Sequence, residues 1–175
     1  MKNNYLIILL TPLFLTACAG NVNHRWCPPT EIVESEAVPQ ELYEETVIEL
    51  SADALFKFDK SGINDLLAEG KAELDNVILQ LKNNYVTVKQ VDITGHTDRL
   101  GSEQYNYKLG MQRAETIRDY LKSNGVQSTM NVSSQGKSEP VTVSCTEALG
   151  KEALRACLQL DRRVTLNLIG VKKTK

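Results

Sequence analysis

The chain has 175 residues, of which 42% are hydrophobic and 24% charged, with a formal net charge of −2. That balance suits one ordinary globular domain with a tail. It lacks the basic footprint of a nucleic-acid binder, so DNA and RNA are set aside as partners.

The first stretch, "MKNNYLIILLTPLFLTACAG", carries one lysine, an apolar run from Tyr5 to Leu15 and then small residues up to Cys18. This pattern predicts a secretory signal over residues 1–17. A membrane-spanning helix is the alternative, but Thr11 and Pro12 interrupt the run, which falls well short of the roughly 20 residues a span needs. The tetrapeptide "LTAC" resembles the lipobox of bacterial lipoproteins, which implies that Cys18 becomes the acylated first residue. A diacylglycerol and an amide-linked chain such as palmitate, at roughly 0.8 kcal/mol per buried methylene, would anchor it stably in a lipid bilayer. Ala19 after that cysteine implies sorting to the outer membrane, with the rest of the chain in the periplasm.

From there to residue 45 the sequence is acidic and proline-broken, with six glutamates and three prolines between Ala19 and Glu45 and no sustained periodicity. It is expected to be a flexible linker spanning roughly 90 Å at full stretch and averaging nearer 30 Å as a coil. An oxidising compartment also bears on the other cysteines. Cys145 and Cys157 flank "CTEALGKEALRAC" and are candidates for a disulfide, closing a loop worth roughly 3 kcal/mol through the unfolded state. No Cys-x-x-Cys pair or nearby histidine supports zinc, so neither a metal nor a cofactor is expected. Cys27 is left over, either free or linked to another chain.

A domain over residues 46–175 is expected to open on "TVIELSADALFKF", a strand with a break at Ser51 to Asp53. Ser61 would cap a helix whose apolar positions Ile63, Leu66, Leu67, Leu74, Val77, Ile78 and Leu81 recur at helical spacing, ending at Asn83 and Asn84. In "YVTVKQVDIT", Val86 and Val88 have the opposite parity to Val91 and Ile93. That strand is therefore either buried on both faces or bulged near Lys89, with an interior strand favoured. Ser102 would cap a second helix burying Leu109, Ala114, Ile117 and Leu121 and ending at "SNG". A weaker strand follows around Met130 to Gln135, then a short helix near Ala148 to Ala156. A last strand, "RRVTLNLIG", turns Val164, Leu166 and Leu168 inward. The order β-α-β-α-β-β predicts an α+β sandwich, helices packed on one mixed sheet.

"GHTDRLGSEQYNYKLGMQRA" is the most distinctive segment. Asp98 lies where a strand gives way to a helix, while Asn106, Leu109 and Arg113, spaced three and four apart, share one helical face. Asp98 and Arg113 could simply form a salt bridge, of little worth if exposed. They could equally hold a zwitterion, the ammonium on Asp98 and the carboxylate in the fork of Arg113.

This segment, with "LFKFDKS", the two cysteines and "DRRV", resembles the OmpA-like C-terminal domain family over roughly Thr46 to Gly170. The resemblance implies non-covalent binding of peptidoglycan through diaminopimelate of the stem peptide. Asp98 and Arg113 match the family's ligand-binding aspartate and arginine. Asp59, Asn106 and Leu109 match positions near the peptide, although turn, cap and packing roles suit them as well. Asp161 and Arg162 in "DRRV" are expected to be mainly structural.

The expected function is thus a structural tether between outer membrane and cell wall. An alternative is an assembly or stabilising component of an envelope complex, such as a porin or secretion machine, engaged through the linker or Cys27. An enzyme is not expected. No spacing singles out the two carboxylates that glycoside hydrolysis needs, and His96 has no partner histidine except His24 in the linker.

Overall fold

The computed structural model describes residues 42–174. The signal segment, Cys18, Cys27 and the linker up to residue 41 lie outside the described residues, whereas Glu44 and Glu45, expected in the linker, belong to the first strand. Strand β1 (Glu44–Ser51) runs into a one-turn helix α1 (Ala52–Leu55), and helix α2 (Ala68–Asn84) leads directly into strand β2 (Tyr85–His96). Helix α3 (Glu103–Ser123) precedes strand β3 (Thr129–Gly136), and a short helix α4 (Lys151–Cys157) precedes strand β4 (Arg163–Lys172). The strands form one mixed sheet in the order β1-β4-β2-β3, parallel only between β2 and β3.

Alternation decides which face of the sheet is covered. Val164, Leu166 and Leu168 of β4 and Val91 and Ile93 of β2 are all buried, meeting Leu74, Val77, Ile78 and Leu81 of α2 and Ala114, Ile117 and Leu121 of α3. The β2 parity problem resolves through a bulge and not through burial on both faces, since Val86 is 68% exposed. The strand is interior, paired on both sides, and its register with β4 slips between Val88 and Gln90 so that Lys89 has no partner. That slip lets Val88 as well as Val91 and Ile93 reach the core.

One helix starts later than its spacing predicts. Ile63 is exposed in a 3-10 turn (Ile63–Asp65), and α2 begins only at Ala68. The intervening backbone is committed elsewhere: Phe56 bridges Leu66, Lys57 N–H donates to Asp65 O, and Leu67 N–H donates to Leu55 O. Ser61 therefore caps nothing. Its hydroxyl donates to Gln112 and its carbonyl accepts from Thr116 on α3.

Two glycines set how closely α3 lies on the sheet. A Cβ on Gly95 of β2 would sit 2.0 Å from the Gly110 carbonyl oxygen of α3, and one on Gly110 would sit 2.4 Å from Ser134 Oγ. Helix and strand meet backbone to backbone here, which only glycine permits. This contact fixes the helix face carrying Asn106, Leu109 and Arg113 against the end of β2, where Asp98 follows.

Candidate functional site

At the end of β2 a pocket is lined by residues from six segments. They include Asp53 of α1, Phe58 and Asp59 of the following turn, Thr97, Asp98 and Leu100 after β2, and Tyr105, Asn106, Leu109 and Arg113 of α3. Arg155 of α4 and Arg162 just before β4 complete it. All five site residues expected from the sequence, Asp59, Asp98, Asn106, Leu109 and Arg113, thus face one cavity. Leu109, expected as a buried helix residue, is only half-buried because it lines that cavity.

Asp98 and Arg113 do not form the simple salt bridge. Asp98 Oδ1 accepts from Leu100 N–H at 2.9 Å and Oδ2 accepts from Arg162 Nη1 at 2.8 Å. Each oxygen keeps a further acceptor site for an incoming donor. Arg113 is 4% exposed, donates through Nε to Lys60 O at 3.0 Å, and has its guanidinium carbon 5.6 Å from the centre of the Phe56 ring. Its Nη1 is buried with no hydrogen-bond partner, and burial lowers its pKa below the ordinary arginine value. No carboxylate pairs with it among the described residues. A buried guanidinium with an unsatisfied donor is costly, and a ligand carboxylate is what such a group is built to receive.

Arg162, expected to be mainly structural, lines the pocket and ties its acidic side chains together. It forks onto Asp53, with Nε 2.9 Å from Oδ1 and Nη2 2.7 Å from Oδ2, while Nη1 reaches Asp98 and the Arg155 carbonyl. Those hydrogen bonds to Asp53, and then to Asp98, push its pKa above the usual arginine range against the opposing effect of burial. Its partner in the motif is structural. Asp161 is fully buried and accepts from the backbone N–H groups of Val141 and Thr142.

The remaining expected residues shape the walls. Asp59 has φ of 60°, a left-handed conformation that aspartate tolerates better than most residues, and accepts a hydrogen bond from Tyr105 Oη. That bond to Asp59 is the main cause raising the Tyr105 pKa. Asn106 is buried and its amide donates to Leu100 O at 2.9 Å, holding the loop that carries Asp98. Ser102 caps α3 by accepting from Tyr105 N–H. Cys145 and Cys157 are joined in a disulfide with Cα atoms 5.7 Å apart, and Arg99, next to Asp98, donates to Cys145 O. His96 does not line the pocket. It is buried beside Thr165 and Glu139, and desolvation lowers its pKa.

Sequence reasoning missed Asp53, Phe58, Tyr105 and Arg155. Asp53 and Arg162 are 109 residues apart, so no local spacing could join them.

The model of the OmpA family matches residues 55–153. The chain belongs to the OmpA family. Outer membrane protein A of Shimwellia blattae is 41% identical over 124 residues, which cover 70% of this chain and 50% of that protein. Outer membrane protein P5 of Haemophilus influenzae is 34% identical over 125 residues, covering 70% of this chain and 34% of the relative. The chain thus spans half or less of the length of these relatives. Among solved structures, the peptidoglycan-associated lipoprotein of Burkholderia pseudomallei matches with a TM-score of 0.50 at 27% identity, covering 69% of this chain and 88% of that one. The periplasmic domain of Helicobacter pylori MotB shares the fold, with a TM-score of 0.57 at 16% identity over 72% of this chain and 74% of its own. The OmpA-family match includes the five ligand-binding residues expected from the sequence, whereas Asp53, Arg155, Cys157 and Arg162 fall outside its span.

Proposed function

We propose that this protein binds peptidoglycan non-covalently through the zwitterionic end of diaminopimelate, and so ties an acylated N-terminus in the outer membrane to the cell wall. The observation that carries the reading is Arg113: a buried guanidinium, unpaired with any carboxylate among the described residues, lining the same pocket as the partly committed carboxylate of Asp98. One group would take the ligand's carboxylate and the other its ammonium. Membership of the OmpA family supports it, as does the likeness to a lipoprotein named for its association with peptidoglycan. The lipobox-like "LTAC" supports anchoring at Cys18, and the relatives named as outer membrane proteins support that location.

The protein acts by holding, not by turnover. Asp53 and Asp98 are engaged by Arg162, and Asp59 by Tyr105, an arrangement suited to recognition of charge. Charge-assisted bonds of this kind contribute about 1.5 to 3 kcal/mol each, so single contacts are modest and many wall sites near one membrane supply retention.

Calorimetric titration of the detergent-solubilised full chain tests the reading. A stem peptide containing diaminopimelate should bind, and its lysine counterpart, which lacks the second carboxylate, should not. Arg113→Ala should weaken binding by roughly 10- to 150-fold, and Arg113→Lys should not restore it because the fork is lost. Equal binding of the two peptides would overturn the proposal.

A further inference from the structure

We infer that the pocket holds a second anion subsite, formed by Arg155 on Phe58, which takes a carboxylate of the stem peptide other than the one on the zwitterionic end. The inference rests on the peptidoglycan reading above and adds to it a statement about which wall peptides bind best.

The charged groups of the pocket are not equivalent. Arg162 is saturated by Asp53 and Asp98, and Asp59 is held by Tyr105. Two guanidiniums remain without an ion pair among the described residues, Arg113 deep in the pocket and Arg155 at its lip. A zwitterionic terminus brings only one carboxylate, which Arg113 accounts for. Arg155 is then a second cation facing the same ligand.

Its position is prepared. The guanidinium carbon of Arg155 lies 5.6 Å from the centre of the Phe58 ring, and that ring is 76% exposed although it belongs to a pocket wall. Stacking on an aromatic face leaves the edge N–H donors of arginine directed outward in their fork. The main chain beneath is fixed from two sides. The Arg155 carbonyl accepts from Arg162 Nη1 at 3.0 Å, the same guanidinium that holds Asp98, and Cys157 two residues on is bonded to Cys145. An otherwise mobile surface arginine is thus registered to the inner site, which lowers the entropy lost when it engages a ligand. Two carboxylates of a tetrapeptide stem flank diaminopimelate, the α-carboxylate of the γ-linked glutamate and the C-terminal carboxylate of the last alanine.

The test compares three diaminopimelate tetrapeptides by titration against the full chain and its Arg155→Gln variant: one with all carboxylates free, one amidated on glutamate and one amidated at the C-terminus. Arg155→Gln keeps the backbone carbonyl that anchors Arg162, so the inner site stays assembled. One of the two amidations should weaken binding to the unaltered protein about three- to tenfold and leave binding to Arg155→Gln unchanged, which also says which carboxylate is read. The gap should narrow as salt rises, because Arg155 is exposed. Amidation effects that are absent, or equal in the two proteins, overturn the second subsite while leaving the Arg113 reading intact. Binding of none of the peptides overturns both.

Discussion

Arg162 joins three parts of the chain through one side chain, and the consequences of removing it can be ranked. Arg162→Ala leaves Asp53 and Asp98 facing each other without their cation. Their side chains are 32% and 14% exposed, so solvent relieves part of that repulsion. A loss of about 1 to 3 kcal/mol in urea unfolding is expected, with weaker peptide binding because Asp98 is no longer aimed. His96 supplies a pH dependence. Burial holds its folded pKa below the ordinary 6.5, so the unfolded chain binds the proton first as pH falls. The stability owed to neutral His96 is therefore fully present above about pH 6.5 and is lost as pH falls toward the folded pKa. Unfolding midpoints measured from pH 7.5 down to 5 should fall more steeply for the unaltered protein than for His96→Gln. Parallel curves would remove His96 as the cause.

The seating of α3 on β2 is the contact between elements on which the pocket depends. Gly95→Ala forces a methyl within 2.0 Å of a backbone oxygen, which cannot swing aside, whereas a Gly110 methyl meets the Ser134 hydroxyl oxygen at 2.4 Å and its nearest backbone atom, Gly95 O, only at 2.9 Å. Gly110→Ala also recovers about 1 kcal/mol of helix propensity. Gly95→Ala should therefore be the worse of the two, by at least about 2 kcal/mol in denaturant unfolding, and should weaken peptide binding by moving Arg113 away from Asp98. Reducing the Cys145–Cys157 bond should cost about 3 kcal/mol and loosen α4 with Arg155. Binding in the presence and absence of reductant measures this. The helix face of Asn106, Leu109 and Arg113 was legible because three-and-four spacing is a property of one helix, and the Ser102 cap is a local signal. The strand alternation of Val164, Leu166 and Leu168 was legible for the same reason. The late start of α2 was not, since Ile63, Leu66 and Leu67 have helical spacing but their backbone is drawn into pairing with residues 55–57. Nor was the role of Arg162, whose partners come from α1 and the β2–α3 loop and meet it only in the folded chain.

At the scale of the whole molecule, the proposed tether separates into parts that can be removed singly. Cys18→Ser should release the protein from the outer-membrane fraction while leaving sacculus co-sedimentation, and the Asp98→Ala, Arg113→Ala double variant should do the reverse. Fractionation of envelopes from the two strains distinguishes them, and retention of the double variant on sacculi would sink the assigned pocket. The pairing of β1 with β4 adds a mechanical consequence. Glu44, where the chain enters the sheet, pairs with Gly170, while Ser51 at the other end pairs with Arg163, beside Arg162 and the pocket. A pull between the chain ahead of Glu44 and a ligand held by Arg113 therefore acts along the length of β1. The eight residue pairs of that ladder, Glu44 to Ser51, share such a load in shear and do not peel open one after another. On the proposed tether, that shear geometry carries the load between membrane and wall.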